Sequence, residues 1–265
     1  MPEGHAESKK VSREPPTAPE RLSIAPQHFY RTAALPCPYI PGKVERKLVT
    51  ELEGPYASEF YNELSRAGFR RSHHLAYRPA CAGCSACVPV RIPVADFTES
   101  RSLHRIANLN RDLRRRALPS GATMEQFRLF QRYQRARHTD SDMAAMTFGD
   151  YQAMVEDNPV ASGIMELRDD GGALMGAGLF DPLDDGLSAV YSFFTPDLPK
   201  RSLGTFLVMS LIEEAQRRKL AYVYLGYWIA NSTKMAYKAR FRPIEALGPQ
   251  GWRRLIIEKG PAPTT

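Results

Sequence analysis

The chain has 265 residues, 43% hydrophobic and 25% charged, an ordinary globular composition with room for one large or two modest domains. No apolar run approaches the roughly 18 residues a membrane-spanning helix needs, and residues 1–19 lack the apolar core of a secretory signal. The net charge of +7 favours a polyanionic partner, and cysteines outside an export context favour a reducing cytoplasmic compartment with metal binding over disulfides.

In chain order, residues 1–25 read as a disordered leader. Ordered structure is expected from about Phe29. Cys37 lies in the turn-like segment Leu35-Pro36-Cys37-Pro38-Tyr39-Ile40-Pro41-Gly42. Tyr56, Phe60, Leu64 and Ala67 step at helical spacing, with Gly68 placed to end that helix. His73-His74 precede Tyr77-Arg78-Pro79; adjacent side chains diverge, so at most one histidine could join a metal site. Arg78 is the better anion binder of this stretch.

Cys81, Cys84 and Cys87 follow at two-residue gaps, which let successive thiolates turn back onto one ion or cluster. With Cys37 they make four soft ligands, enough for tetrahedral zinc or an iron–sulfur cluster. The alternative is a small group of buried or redox-active thiols. Residues 88–94 alternate, but Pro89 and Pro93 predict an edge strand or extended segment. Residues 101–116 predict one helix with Leu103, Ile106, Leu109 and Leu113 inward. Its outer face would carry Arg105, Arg111, Arg114, Arg115 and Arg116 as a phosphate-backbone surface or a merely solvated face. Leu118-Pro119-Ser120-Gly121 reads as the linker between residues 26–118 and 119–258, with 259–265 a disordered tail.

The second half opens with Thr123-Met124-Glu125-Gln126, which resembles a capping box, and a helix starting at Thr147 follows. Strands are predicted at 163–167, 173–180 and 187–194, joined by Asp-Asp-Gly turns. A helix over 202–218, a strand over 221–225, a short helix over 231–239 and a strand over 253–257 complete an α+β domain. That order matches acyltransferases of the Gcn5-related type. Lys200 and Arg201 stand at the head of the long helix, whose N–H groups suit a phosphate or an oxyanion. Phe206, however, stands where a coenzyme A loop needs a small residue.

Several segments together resemble the aminoacyl-tRNA–protein transferase family, in particular its short bacterial aspartate/glutamate leucyltransferase branch. They are Cys37-Pro38-Tyr39, Tyr77-Arg78-Pro79 with the three spaced cysteines, and Val88-Pro89-Val90-Arg91. Further on they are Tyr191-Ser192-Phe193, Arg201-Ser202-Leu203-Gly204-Thr205, and Tyr224-Leu225-Gly226-Tyr227-Trp228-Ile229 with Lys234-Met235. The resemblance implies transfer of leucine from leucyl-tRNA to the N-terminal amine of proteins beginning with Asp or Glu, marking them for proteolysis under the N-end rule. No organic cofactor follows from it. Its longer eukaryotic relatives transfer arginine and pair their cysteines differently around a metal or cluster.

An aminoacyl ester is already activated, so alignment, oxyanion stabilisation and protonation of the ribose oxygen remain. Tyr191, Ser192, Tyr227, Lys234 and Tyr237 are candidates for that work. Arg78, Arg91 and Lys238 are candidates for the acidic side chain of the acceptor. Arg105, Arg111, Arg114, Arg115, Arg116, Lys200 and Arg201 are candidates for the tRNA backbone. Cys37, Cys81, Cys84 and Cys87 would be scaffold, holding the Arg78 and Arg91 segments over the pocket. An arginyl-transferring enzyme, a coenzyme A-dependent N-acetyltransferase and a non-catalytic RNA-binding redox sensor are the competing readings.

Overall fold

The computed structural model describes residues 27–137, 141–230, 232 and 234–256. The leader and tail expected at 1–25 and 259–265 lie outside these residues. The architecture is mixed α and β, organised on an eight-stranded sheet with a smaller four-stranded sheet beside it.

The small sheet combines β1 (Lys47–Glu51), β2 (Arg70–Ser72) and β3 (Leu75–Pro79), with Tyr30–Arg31 pairing on the outer side of β1. Helix α1 (Ala57–Arg66) connects β1 to β2 and buries Ala57, Tyr61 and Leu64. Gly68, at φ +82°, turns the chain out of it as expected.

The large sheet begins with β4 (Val88–Pro93), then α2 (Arg101–Leu109), β5 (Arg114–Pro119), α3 (Met124–Arg137) and α4 (Phe148–Glu156). Strands β6 (Gly163–Arg168), β7 (Leu174–Pro182) and β8 (Gly186–Phe194) form the predicted meander. Helix α5 (Leu203–Arg217), β9 (Tyr222–Trp228), β10 (Glu245–Gly248) and β11 (Gly251–Arg254) follow. The strand order is β11-β10-β4-β9-β8-β7-β6-β5, antiparallel except between β8 and β9. The expected capping box is made, and a second one stands at the expected helix start at Thr147. Thr123 and Gln126 bond reciprocally at the start of α3, and Thr147 and Asp150 do so at α4.

Alternation along the strands separates two cores. In β6, Ile164 faces the cluster under α3 and α4, whereas Met165 and Leu167 face the cluster under α5. The long helix is therefore nearly enveloped, with Phe206, Leu207, Met209, Leu211 and Ile212 all buried.

Three sequence expectations change. Residues 88–94 are not an edge: β4 pairs with β9 on one side and β10 on the other. Prolines are tolerated because β10 pairs only with Val90 and Arg91, between Pro89 and Pro93. The basic segment is not one helix. It ends at Leu109, Asn110 turns the chain by bonding the Ile106 and Arg201 carbonyls, and β5 then pairs along β6. The cross-strand ladder outweighs the helical spacing there, and Arg114 to Arg116 become an exposed, charged edge strand. Leu118 and Pro119 are no linker, because they finish β5 opposite Ile164 and Gly163. The large sheet thus draws strands from both sides of residue 118.

The two sheets are tied through consecutive residues of β2. Arg71 makes a bidentate pair with Asp181 of β7, at 2.8 and 2.7 Å, with both side chains almost wholly buried. Arg70 donates to the backbone of β8.

Candidate active site

Strands β8 and β9 are parallel neighbours only along Gly186–Ser188 and Tyr222–Tyr224, and beyond that they part. Two irregularities sharpen the split: β8 bulges around Val190 against β7, and β9 shifts register against β4 between Tyr224 and Gly226. A cavity of about 620 Å³ opens between them. Its floor is apolar, from Met165, Leu179, Leu207, Val208 and Leu211. Its charged lining is Arg70, Lys234 and Lys238, with no carboxylate among the described lining residues.

Parting strands leave backbone groups without ladder partners. The carbonyls of Ala189 and Val190 are taken up by Arg70, whose Nη2 donates to both. Its Nη1 is buried with no hydrogen-bond partner. Gly226, at φ +73°, leaves the space the guanidinium fills: a Cβ there would lie 2.7 Å from Nε and 2.8 Å from Cζ of Arg70.

Lys238 is buried, and its Nζ donates to the Tyr227 carbonyl. Burial first, and then the Arg70 charge, push its ammonium down to about 7, so the neutral amine is accessible near neutrality. Lys234 is exposed at the rim. The Tyr191 hydroxyl accepts from Gln134 Nε2 at 2.7 Å, and burial pushes its pKa up to about 12. It therefore stays protonated, and its own hydrogen remains to be donated. Tyr237 also faces the cavity, with its phenol pushed up by burial, and Ser192 is half-buried there. Tyr227 lines the same wall, but its hydroxyl lies 3.0 Å from the carbonyls of Gly68 and Tyr77, so its proton is engaged by backbone.

The structure thus gathers Tyr191 and Ser192 from one segment and Tyr227, Lys234, Tyr237 and Lys238 from another. It does not bring Arg78 or Arg91 to the cavity wall. Arg78 is exposed, bonded to the Ala67 carbonyl and set over the Phe69 ring. Arg91 is buried in a cage: Nε pairs with Glu245 at 2.8 Å and Nη1 donates to Tyr224, with the Tyr222 ring 3.5 Å away and the Trp252 ring 4.4 Å away. A guanidinium so fully engaged fastens β4 to β9 and β10 instead of awaiting a ligand.

Of the basic residues, Arg114 faces Asp170, Arg115 pairs with Glu213, and Arg201 holds Asp112 and Asn110. Arg105, Arg111, Arg116 and Lys200 are exposed and have no ion pair among the described residues. Arg115, Arg116 and Arg217 line a groove of about 540 Å³ between β5 and α5, together with Glu213 and Glu214. Met165 is shared by this groove and the cavity. The start of α5 lies elsewhere: α5 lines the cavity through Leu207, Val208 and Leu211. Ser202 sits there at φ 51° without a side-chain cap, and Phe206 is core.

All four cysteines are half-buried around one small cavity of about 70 Å³. Burial first, and then the neighbouring Cys37, Cys81 and Cys84, push the Cys87 thiol up to about 11. Mutual repulsion of that kind is what a cation would relieve. Yet no three His, Cys, Asp or Glu side chains among the described residues stand close enough to hold a metal ion. The thiols share a cavity without forming a ligand set. Tyr39, Tyr77 and Tyr227 line both this cavity and the larger one.

Sequence reasoning missed Arg70, Gln134, Tyr39 and Tyr77. One signal was present: a lone glycine directly after the strand expected at 221–225, where a glycine marks a bulge or a close approach. Gly226 is both.

Residues 35–105 match the family described as arginine-tRNA-protein transferase, N terminus, and residues 125–248 match its C-terminal counterpart. An aspartate/glutamate leucyltransferase of Paramagnetospirillum magneticum is 57% identical over 89% of this chain and 96% of its own length. Those of Granulibacter bethesdensis and Rhodospirillum rubrum are 55% and 54% identical, covering 87% and 86% of this chain and 86% and 93% of theirs. Among solved structures, a tandem GNAT protein from the clavulanic acid biosynthesis pathway is 13% identical, covering 74% of this chain and 60% of its own at TM-score 0.39, too low to identify a fold.

Proposed function

The chain belongs to the aspartate/glutamate leucyltransferases, and on that premise we propose that the cavity where β8 and β9 part is the chamber in which its aminoacyl transfer occurs. The protein is an aminoacyltransferase. It transfers leucine from leucyl-tRNA to the N-terminal amine of proteins beginning with Asp or Glu, so the charged tRNA and the acidic N-terminus are its two partners. The product is a degradation signal read by proteolytic machinery in the cytoplasm.

The character of the lining supports this reading most directly. A leucyl side chain is neutral and apolar, matching Met165, Leu179, Leu207 and Leu211. An acidic acceptor is matched by three cations. An arginyl group would call for a carboxylate, and the described lining offers none. Phe206, packed in the core at the head of α5, also counts against a coenzyme A loop.

The neutral α-amine attacks the ester carbonyl, a tetrahedral oxyanion forms, and the bond to the ribose oxygen breaks as that oxygen gains a proton. Tyr191, oriented by Gln134, is placed to donate to the oxyanion or to the departing oxygen, with Tyr237 and Ser192 beside it. Lys238, close to neutral, can receive the proton the amine loses. Arg105, Arg111, Arg116 and Lys200 are exposed cations that can supply contacts for the tRNA backbone.

The parallel split between β8 and β9, flanked by α3 and α5, supports a Gcn5-related acyltransferase reading of the second half. The small sheet and the cysteine segment form the N-terminal part beside it. Cys37, Cys81, Cys84 and Cys87 share one cavity but are not arranged as a ligand set among the described residues, and metal analysis of anaerobically purified protein tests whether they take up zinc or an iron–sulfur cluster. The transfer reaction itself is tested by supplying leucyl- or arginyl-tRNA with Asp-, Glu- and Lys-initiated peptides. Leucine should move to the first two only.

A further inference from the structure

Which group reads the acidic side chain of the acceptor is a separate question, and the two arginines expected from the sequence are both employed outside the cavity. Arg78 lies on the surface over Phe69, and Arg91 is closed in by Glu245, Tyr222, Tyr224 and Trp252. We propose that Arg70, a cavity-lining guanidinium whose Nη1 is buried without a partner, is the specificity-determining residue that binds the side-chain carboxylate of the N-terminal Asp or Glu. The assignment rests on the leucyltransferase reading above and names its acceptor subsite.

Four observations carry it. Arg70 has no carboxylate partner among the described residues, whereas its neighbour Arg71 is fully paired with Asp181. A buried guanidinium N–H without an acceptor is costly, and such a donor is retained where a ligand completes it. The side chain is held in place without being neutralised, since Nη2 is anchored by two main-chain carbonyls. Finally, the room for it is built into the backbone, by the glycine at 226 where any Cβ would collide with it.

The other two cations fit the site less well. Lys234 is exposed at the rim. Lys238 already donates to the Tyr227 carbonyl and loses part of its charge to burial and to Arg70 itself. A planar fork also reads a carboxylate better than a point charge does, which favours Asp and Glu over their amides.

The test is leucine transfer from leucyl-tRNA to a matched pair of peptides, Asp-initiated and Asn-initiated, with parent protein, Arg70→Gln and Arg70→Lys. The parent should prefer Asp. In Arg70→Gln the ratio of kcat/KM for Asp over Asn should fall at least about tenfold, carried by KM for the peptide, with KM for leucyl-tRNA little changed. Arg70→Lys should recover part of the ratio. Thermal melting qualifies each variant, and should Arg70→Gln unfold, Arg70→Lys decides: an Asp-peptide KM equal to the parent's overturns the proposal. An unchanged Asp-to-Asn ratio in Arg70→Gln overturns it as well. So does a rise confined to KM for leucyl-tRNA, which would make Arg70 a phosphate contact. If the parent itself moves no leucine to the Asp-initiated peptide, the transferase reading fails, and that outcome is distinct from the others.

Discussion

Gly226 of β9 and Arg70 of β2, 156 positions apart, occupy one volume between them: a Cβ on the glycine would lie 2.7–2.9 Å from Nε, Cζ and Cδ of the arginine. The glycine therefore does two things. It supplies the positive φ of the register shift that helps β9 part from β8, and it makes space for a cation in the resulting gap.

Gly226→Ala should accordingly injure selectivity more than fold. A left-handed φ costs an alanine about 1 kcal/mol, and the displaced guanidinium adds to it. Melting temperature should drop by a few degrees, while use of Asp-initiated peptide falls by an order of magnitude or more. Loss of stability with the Asp-to-Asn preference intact would separate the two residues.

Lys238 should leave a mark on the pH dependence of stability. Its folded-state pKa, about 7, lies below its ordinary value of 10.5, so between those pH values the unfolded chain binds more protons. Stability should then rise with pH across roughly 7 to 10, with a slope of up to about 1.4 kcal/mol per pH unit, and be lowest below 7. Lys238→Met should abolish that rise. Parallel curves for parent and variant in urea titrations would contradict the burial.

Arg91 should behave as a fastener. Arg91→Ala strands Glu245 and empties the space between Tyr222 and Trp252, which should cost about 3–5 kcal/mol. At a temperature where the variant is folded, its preference for acidic acceptors should match the parent's. A selective loss of that preference would return Arg91 to the acceptor site.

Tyr191→Phe removes the hydroxyl that Gln134 orients and keeps the ring. If that hydroxyl donates to the developing oxyanion or the departing ribose oxygen, kcat should fall roughly 10²-fold, with KM for both substrates near the parent values. Single-turnover transfer rates measure this. A change in KM alone would assign Tyr191 to binding.

Much of this was legible in the chain because the signals were local. Thr123–Gln126 and Thr147 announced their helices, and the Asp-Asp-Gly turns announced the meander. Tyr191, Lys234 and Lys238, expected from aromatic and basic residues in those segments, line one cavity. Misreadings arose where long-range pairing decides. Arg114 to Arg116 carry helical spacing yet join β6 as an edge strand, and Val88–Pro93 is interior because partners from residues 222–228 and 245–248 enclose it. Arg70 was invisible for the same reason. Nothing within ten residues of it shows that β8 and β9 part above it, leaving the carbonyls of Ala189 and Val190 for it to satisfy.

The most direct test of the account is the transfer of labelled leucine and labelled arginine, each from its charged tRNA, to an Asp-initiated peptide by the purified chain. A cavity with an apolar floor, three cations and no carboxylate among its described lining residues predicts transfer of leucine and none of arginine. Transfer of arginine at a comparable rate, or of neither amino acid, would contradict it.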